Sequence, residues 1–235
     1  MIRGIAVVLT GLLLPVLLST LAVAGSSRSD DVARIQRSTE VFQEIMGTPE
    51  HAIPQKLLDS AQCIAIIPGE KQLAFGFGGK HGKGLVTCRT AKDWSAPAFL
   101  SVSGGSYGFQ IGASSTDIVM VFKNKNGLKD LLSHNFKLGV GATAAAGPVG
   151  RDASASTDLE MHAEILTYAR SRGAFAGISL NGAVVKPDES GDAAMYGPNV
   201  TTKQIVSGSV AVPSAAQPLI SELKRQTGKE RAKLQ

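Results

Sequence analysis

Apolar and polar positions change their period along this chain. From Asp31 to Met46, Val32, Ile35, Phe42, Ile45 and Met46 fall on one face of a 3.6-residue wheel, with Arg34, Arg37, Glu40 and Glu44 elsewhere. The spacing predicts a helix capped by Ser29 or Asp30 and ended by Gly47. A second, short helix is expected from Pro54 to Ala61, with proline in its first turn. The period then falls to two. Strands are expected near 63–68, 72–78, 84–89, 97–103, 106–112 and 116–123, with a glycine- and alanine-rich strand at 137–146. Asn126-Gly127 marks a turn before a helical segment that reaches Ser133, and 163–170 pairs with 174–186 around Asn181-Gly182. Thr201–Ser207 reads as a short helix, and Ala215–Gln226 as a closing amphipathic helix on Leu219, Ile220 and Leu223. No repeat or low-complexity linker divides this body. The fold class is α+β: a strongly curved antiparallel sheet, or a barrel-like body, with helices at both ends.

The first residues have a different character. Arg3 precedes an apolar run from Ile5 to Leu21, and Ala22-Val23-Ala24 supplies the small residues of a cleavage site before Gly25. Residues 1–24 are therefore expected to be a signal peptide, and the mature chain to be exported to the periplasm or the extracellular space. An uncleaved anchor is the rival, since Ile5–Ala24 nearly spans a bilayer, but Gly11 and Pro15 interrupt the run. The remaining divisions are an N-terminal helix region at 25–53, the main domain at 54–227 and a basic tail at 228–235.

Charge narrows the partners. Beyond residue 24 there are 23 basic and 19 acidic side chains, a mild excess suited to weak attraction by anionic surfaces. No dense basic stripe interleaved with aromatics is present, so nucleic acid is not an expected partner. The 26 glycines suit a sheet with close backbone approaches.

Two motifs imitate catalysis. Gly104-Gly105-Ser106-Tyr107-Gly108 matches G-x-S-x-G, but a nucleophile elbow needs a helix after the serine. Here Tyr107, Phe109 and Ile111 alternate with Gly108, Gln110 and Gly112, so Ser106 is expected beside a Gly104-Gly105 hairpin turn and not in a hydrolase. The run from Gly76 to Gly84 resembles a phosphate loop, yet Phe77 and Gly84 stand where that motif needs glycine and Ser or Thr. Two readings remain for it: a glycine turn forming an anion nest flanked by Lys80, His81 and Lys83, or a hairpin with solvated lysines at its tip. Arg151, in the turn Gly147–Arg151, suits bidentate phosphate contact or an internal brace to Asp152 or Asp158. The four histidines and two cysteines lack ligand spacing, so neither metal nor cofactor is expected. Cys63 and Cys88 form either a disulfide or two buried thiols. In a plain three-strand meander they would lie beyond the ~7 Å Cα limit for a bond.

Five blocks carry a family resemblance: Cys63–Pro68, Phe75–Gly84, Trp94–Lys123, Gly147–Arg151 and Glu164–Gly177. Together they resemble the SYLF domain family over roughly residues 54–225. The resemblance implies a non-enzymatic lipid-binding protein, with phospholipid or phosphoinositide-type head groups as ligands; some eukaryotic members also bind actin. Here an envelope lipid-binding protein is expected, with Lys80, His81, Lys83 and Arg151 as candidate head-group contacts. The alternatives are an envelope scaffold or protein-interaction module and a Ser106 hydrolase. An amphipathic helix ahead of the body has been linked to membrane association in that family. In this chain its mixed polar face favours packing on the sheet.

Overall fold

In the computed structural model, the described residues are 26–49, 52–91, 93–124, 128–129, 131–132, 136–137, 144–147, 163–171, 174–176 and 183–227. Helix α1 spans Arg28–Gly47 and begins one turn before the apolar pattern does. Its cap is Ser27 and not Ser29 or Asp30: the Ser27 hydroxyl accepts the Asp30 N–H, while the Asp30 carboxylate accepts the Ser27 N–H. Helix α2 spans Gln55–Ser60.

The next two elements correct the expected six short strands. Strand β1 runs unbroken from Cys63 to Cys88 and β2 from Ala98 to Phe122, paired antiparallel from Val86↔Ala98 to Cys63↔Phe122. Neither Gly104-Gly105 nor the Lys80–Lys83 segment is a turn: Gly79 pairs with Gly105, and Lys80 with Gly104. Gly79, Gly82, Gly84 and Gly104 lack the positive φ that a turn glycine would supply. Register slips lie between Ile67 and Glu70 and between Phe75 and Phe77. At the first, Gly69 has φ of 60° and donates its N–H to Asp117 Oδ1 at 2.9 Å.

The shorter strands are β3 (Phe136–Lys137), β4 (Ala144–Ala146), β5 (Ile165–Ser171), β6 (Ala174–Ala176) and β7 (Val184–Pro187). They complete a seven-stranded sheet, antiparallel except where β4 lies beside β5, and curved without closing. Of the expected 174–186 strand, β6 and β7 cover the two ends, and residues 177–182, with the Asn181-Gly182 turn, lie outside the described residues. Helix α3 (Glu189–Tyr196), unread in the sequence, follows; α4 spans Thr202–Val206, and α5 (Gln217–Thr227) closes the chain after a single turn at Ser214–Ala216.

Curvature brings the ends of β1 together. Cys63 and Cys88 are disulfide-bonded with Cα atoms 4.0 Å apart, and Arg89 donates its N–H to the Gln62 carbonyl at 2.7 Å. A flat meander would have separated the two cysteines; a strand that doubles back does not. The approach depends on small residues. A Cβ on Gly84 would lie 2.3 Å from the Ile66 carbonyl oxygen, and one on Gly82 would lie 2.8 Å from Ile67 Cγ2.

Both faces of the hairpin are buried at 63–67 and 118–122, which is why these segments read as continuous apolar runs. One face, with Cys63, Ala65, Ile67, Val86, Leu100, Ile118 and Met120, packs inside the fold of the sheet. The other, with Ile64, Ile66, Leu85, Phe99 and Val119, receives Ile35, Phe42 and Ile45 of α1 and Leu219 and Leu223 of α5. The N-terminal helix thus packs on the sheet.

Candidate functional site

Where α1 crosses the sheet it leaves a cleft of about 750 Å³. The helix presents Arg34, Arg37, Glu40 and Glu44; the sheet presents Lys71 and Lys83 from β1, Asp117 from β2 and Arg170 from β5. The sheet side follows from register. Lys71 pairs with Ser115 and Lys83 with Ser101, odd positions of β2 that share the helix-covered face with Phe99 and Val119.

Ion pairs close both ends. At one, Arg34 is 4 % exposed and contacts Asp31 and Asp188, each at 3.0 Å, with its guanidinium 5.0 Å from the Phe99 ring centroid. Lys83, half exposed, reaches the same Asp188 oxygen at 3.2 Å. Burial pushes Asp188 up, but hydrogen bonds from Ser190, Lys83 and Arg34 outweigh it and hold the carboxyl below its ordinary value. Burial dominates at Asp31, which is raised despite Ser26 and Arg34. Neighbouring Asp192 accepts from the Phe99 N–H at 2.8 Å and the Thr202 hydroxyl at 2.6 Å; burial nevertheless pushes it up to about 6, and Asp188 and Asp31 add to the rise. The Asp188 side chain caps α3, so this network ties α1, β1 and α3 together.

At the other end Arg170 pairs with Asp117 at 2.8 Å and with Glu44 of α1. Two hydrogen-bonded carboxylates raise the Arg170 pKa further, so it stays charged. Between the ends, Arg37 and Lys71 are exposed and make no side-chain hydrogen bond or ion pair among the described residues. The cleft therefore has ends fixed by ion pairs, with two carboxylates sharing one guanidinium at the Arg170 end, and unpaired Arg37, Lys71 and Glu40 elsewhere in its lining.

The sequence-predicted residues are separated. Lys83 lines the cleft. His81, paired with Ser103, projects to the same face outside the lining, whereas Lys80 projects to the opposite face. There Lys80 is the nearby positive charge for buried Glu70, whose carboxyl is pushed up by burial and whose Oε1 has no partner among the described residues. Arg151 lies outside the described residues. Ser106 pairs with Gly78 in mid-strand, with no helix after it, so it is not on a nucleophile elbow. Arg34 and Arg37 were visible in sequence only as the polar face of a helix, and Lys71 as a residue between expected strands. Among the described residues no three His, Cys, Asp or Glu side chains group as metal ligands, and no helix is long and apolar enough to cross a membrane.

A family model described as "Ysc84: Las17-binding protein actin regulator" matches residues 103–226. Protein YSC84 of Saccharomyces cerevisiae is 32% identical over 199 residues, covering 83% of this chain and 42% of that protein. LAS seventeen-binding protein 3 of the same yeast is 32% identical over 202 residues, covering 84% and 43%. SH3 domain-containing YSC84-like protein 1 of Rattus norvegicus is 30% identical over 207 residues, covering 86% and 60%. The chain thus spans about two-fifths of the yeast relatives' length. The family description and the name of the second relative are those of binding proteins, and the segment that the family model matches runs from inside β2 into α5. The chain belongs to the Ysc84, or SYLF, family.

Proposed function

We propose that this chain is an exported, non-enzymatic binding protein that docks on phospholipid membranes by taking a phosphate-bearing head group into the α1–sheet cleft. The observation that carries the reading is the pair Arg37 and Lys71, exposed cations without partners in a cleft whose remaining basic residues are already paired. Arg and Lys without partners in the lining of one cleft suit phosphate, because Arg offers a planar donor fork and Lys a mobile point charge. The mid-strand position of Ser106 supports the non-enzyme part. The Cys63–Cys88 disulfide supports export, since such bonds persist in oxidising compartments.

Flotation with vesicles containing an anionic phospholipid tests the proposal. Replacing both residues, Arg37→Ala with Lys71→Ala, should weaken binding by ~2 kcal/mol, at about 1 kcal/mol per basic residue near a charged surface. Rising salt should weaken the wild type as well. Equal binding by both proteins at low salt would remove the cleft from the membrane site. A second reading, a protein-interaction module, is favoured by the family's description as Las17-binding. It predicts indifference to vesicle charge.

A further inference from the structure

The cleft is not uniformly basic. On the α1 wall Arg37 is followed by Glu40, then Glu44, spaced three and four residues apart on one helix face. Glu44 is paired with Arg170, which it shares with Asp117. Glu40, like Arg37 and Lys71, is exposed and makes no side-chain hydrogen bond or ion pair among the described residues. The cleft charges without a side-chain hydrogen bond or ion pair are therefore two cations and one carboxylate, while Asp30, also in the lining, is held by hydrogen bonds to Ser27. A ligand with only negative charge would gain from Arg37 and Lys71 but be repelled by Glu40. A ligand whose phosphate carries an ammonium group a short tether away satisfies all three. Val41 and Pro68, also in the lining, give its carbon tether apolar contact.

We propose that the cleft selects phosphate esters that also bear a primary ammonium, of the phosphoethanolamine type, with Arg37 and Lys71 on the phosphate and Glu40 on the ammonium. This inference rests on the head-group reading above and adds the selecting residue. The same chemistry is found in a lipid head group and in a soluble ester, so both sources are tested.

Isothermal titration of the full chain with glycerophosphoethanolamine and with glycerophosphoglycerol gives the soluble arm. Flotation on phosphatidylcholine vesicles carrying equal fractions of phosphatidylethanolamine or phosphatidylglycerol gives the membrane arm. The amine-bearing ligand should bind about threefold to fivefold more tightly, the range expected for one exposed ion pair. Glu40→Gln should abolish that preference by weakening the amine ligand and strengthening the glycerol one. Arg37→Ala should weaken both ligands alike. All three side chains to be changed are exposed, and circular dichroism verifies the fold of each variant. A preference in vesicles alone assigns the site to membranes; a preference in the soluble arm alone assigns it to free esters. Equal or stronger binding of the glycerol ligand in both arms, or a preference that survives Glu40→Gln, overturns the proposal. If Arg37→Ala with Lys71→Ala lowers vesicle binding while no amine preference exists, only the selectivity fails. If that pair changes nothing, the head-group reading fails with it.

Discussion

The fold-back of β1 makes a graded prediction from three glycines on one strand. An alanine methyl at Gly84 would sit 2.3 Å from the Ile66 carbonyl oxygen and 2.9 Å from Ile67 Cα, so backbone must move. At Gly82 the obstacles are side-chain atoms, Ile67 Cγ2 at 2.8 Å and Glu70 Cγ at 3.2 Å. At Gly79 nothing lies within 4 Å. Overpacking a tight core costs about 1–3 kcal/mol when neighbours can adjust, and more when backbone must move. Gly84→Ala is therefore expected at ~3 kcal/mol or above and Gly82→Ala at ~1–2 kcal/mol. Gly79→Ala should be neutral or stabilising by up to ~1 kcal/mol, because alanine restricts the unfolded chain. For a chain of this size, ~3 kcal/mol corresponds to a fall in Tm of roughly 6–12 °C. Urea titration of the oxidised proteins measures the series, with an unchanged m-value verifying that the midpoint shift reports stability. Gly84→Ala as stable as Gly79→Ala would refute the idea that β1 closes on itself at this point.

Three more outcomes follow from the same geometry. Replacing both cysteines by serine should cost ~3–4 kcal/mol through the 25-residue separation they close, read by urea titration against wild type. Asp192 has its folded pKa raised from 3.8 to about 6, so its contribution to stability is fully present below 3.8 and is lost as pH rises through about 6. Stability measured at pH 5 should exceed that at pH 7 by ~1 kcal/mol from this group, and Asp192→Asn should flatten that slope; an unchanged slope would exonerate Asp192. Export with cleavage after Ala24 predicts a mature N-terminus at Gly25, and intact mass of the exported protein decides it. A full-length mass in the membrane fraction would mean that the apolar segment is an anchor.

The cleft and the fold-back share a cause. Because β1 bends over its own beginning, Lys71 and Lys83, twelve residues apart, arrive on the same side beneath α1. The ion pairs at the two ends then hold the helix in place. Arg34, Asp188 and Lys83 join α1 to the sheet and α3, while Arg170, Asp117 and Glu44 join it to β2 and β5. Arg37, Glu40 and Lys71 are left to face solvent, and so are available to a ligand.

Local patterning alone determined the helices at either end, because Ile35, Phe42 and Ile45 in one, and Leu219, Ile220 and Leu223 in the other, mark a buried stripe without reference to distant residues. It also determined that the middle of the chain is extended, and that Ser106, within a period-two run, belongs to a strand. The identity of the five ordered family blocks was legible in the same way. Local patterning could not determine where the strands end. Glycine permits both a turn and an extended residue, so Gly79, Gly82, Gly84, Gly104 and Gly105 read as punctuation until their cross-strand partners are known. Register decided the face of each cation, sending Lys83 to the cleft and Lys80 to Glu70, because adjacent strand residues point to opposite sides. Curvature decided the disulfide: 25 residues of separation say nothing of distance until the strand between them bends. The cleft needed all of these together, since α1, β1, β2 and β5 each contribute charges that only packing brings within reach of one ligand.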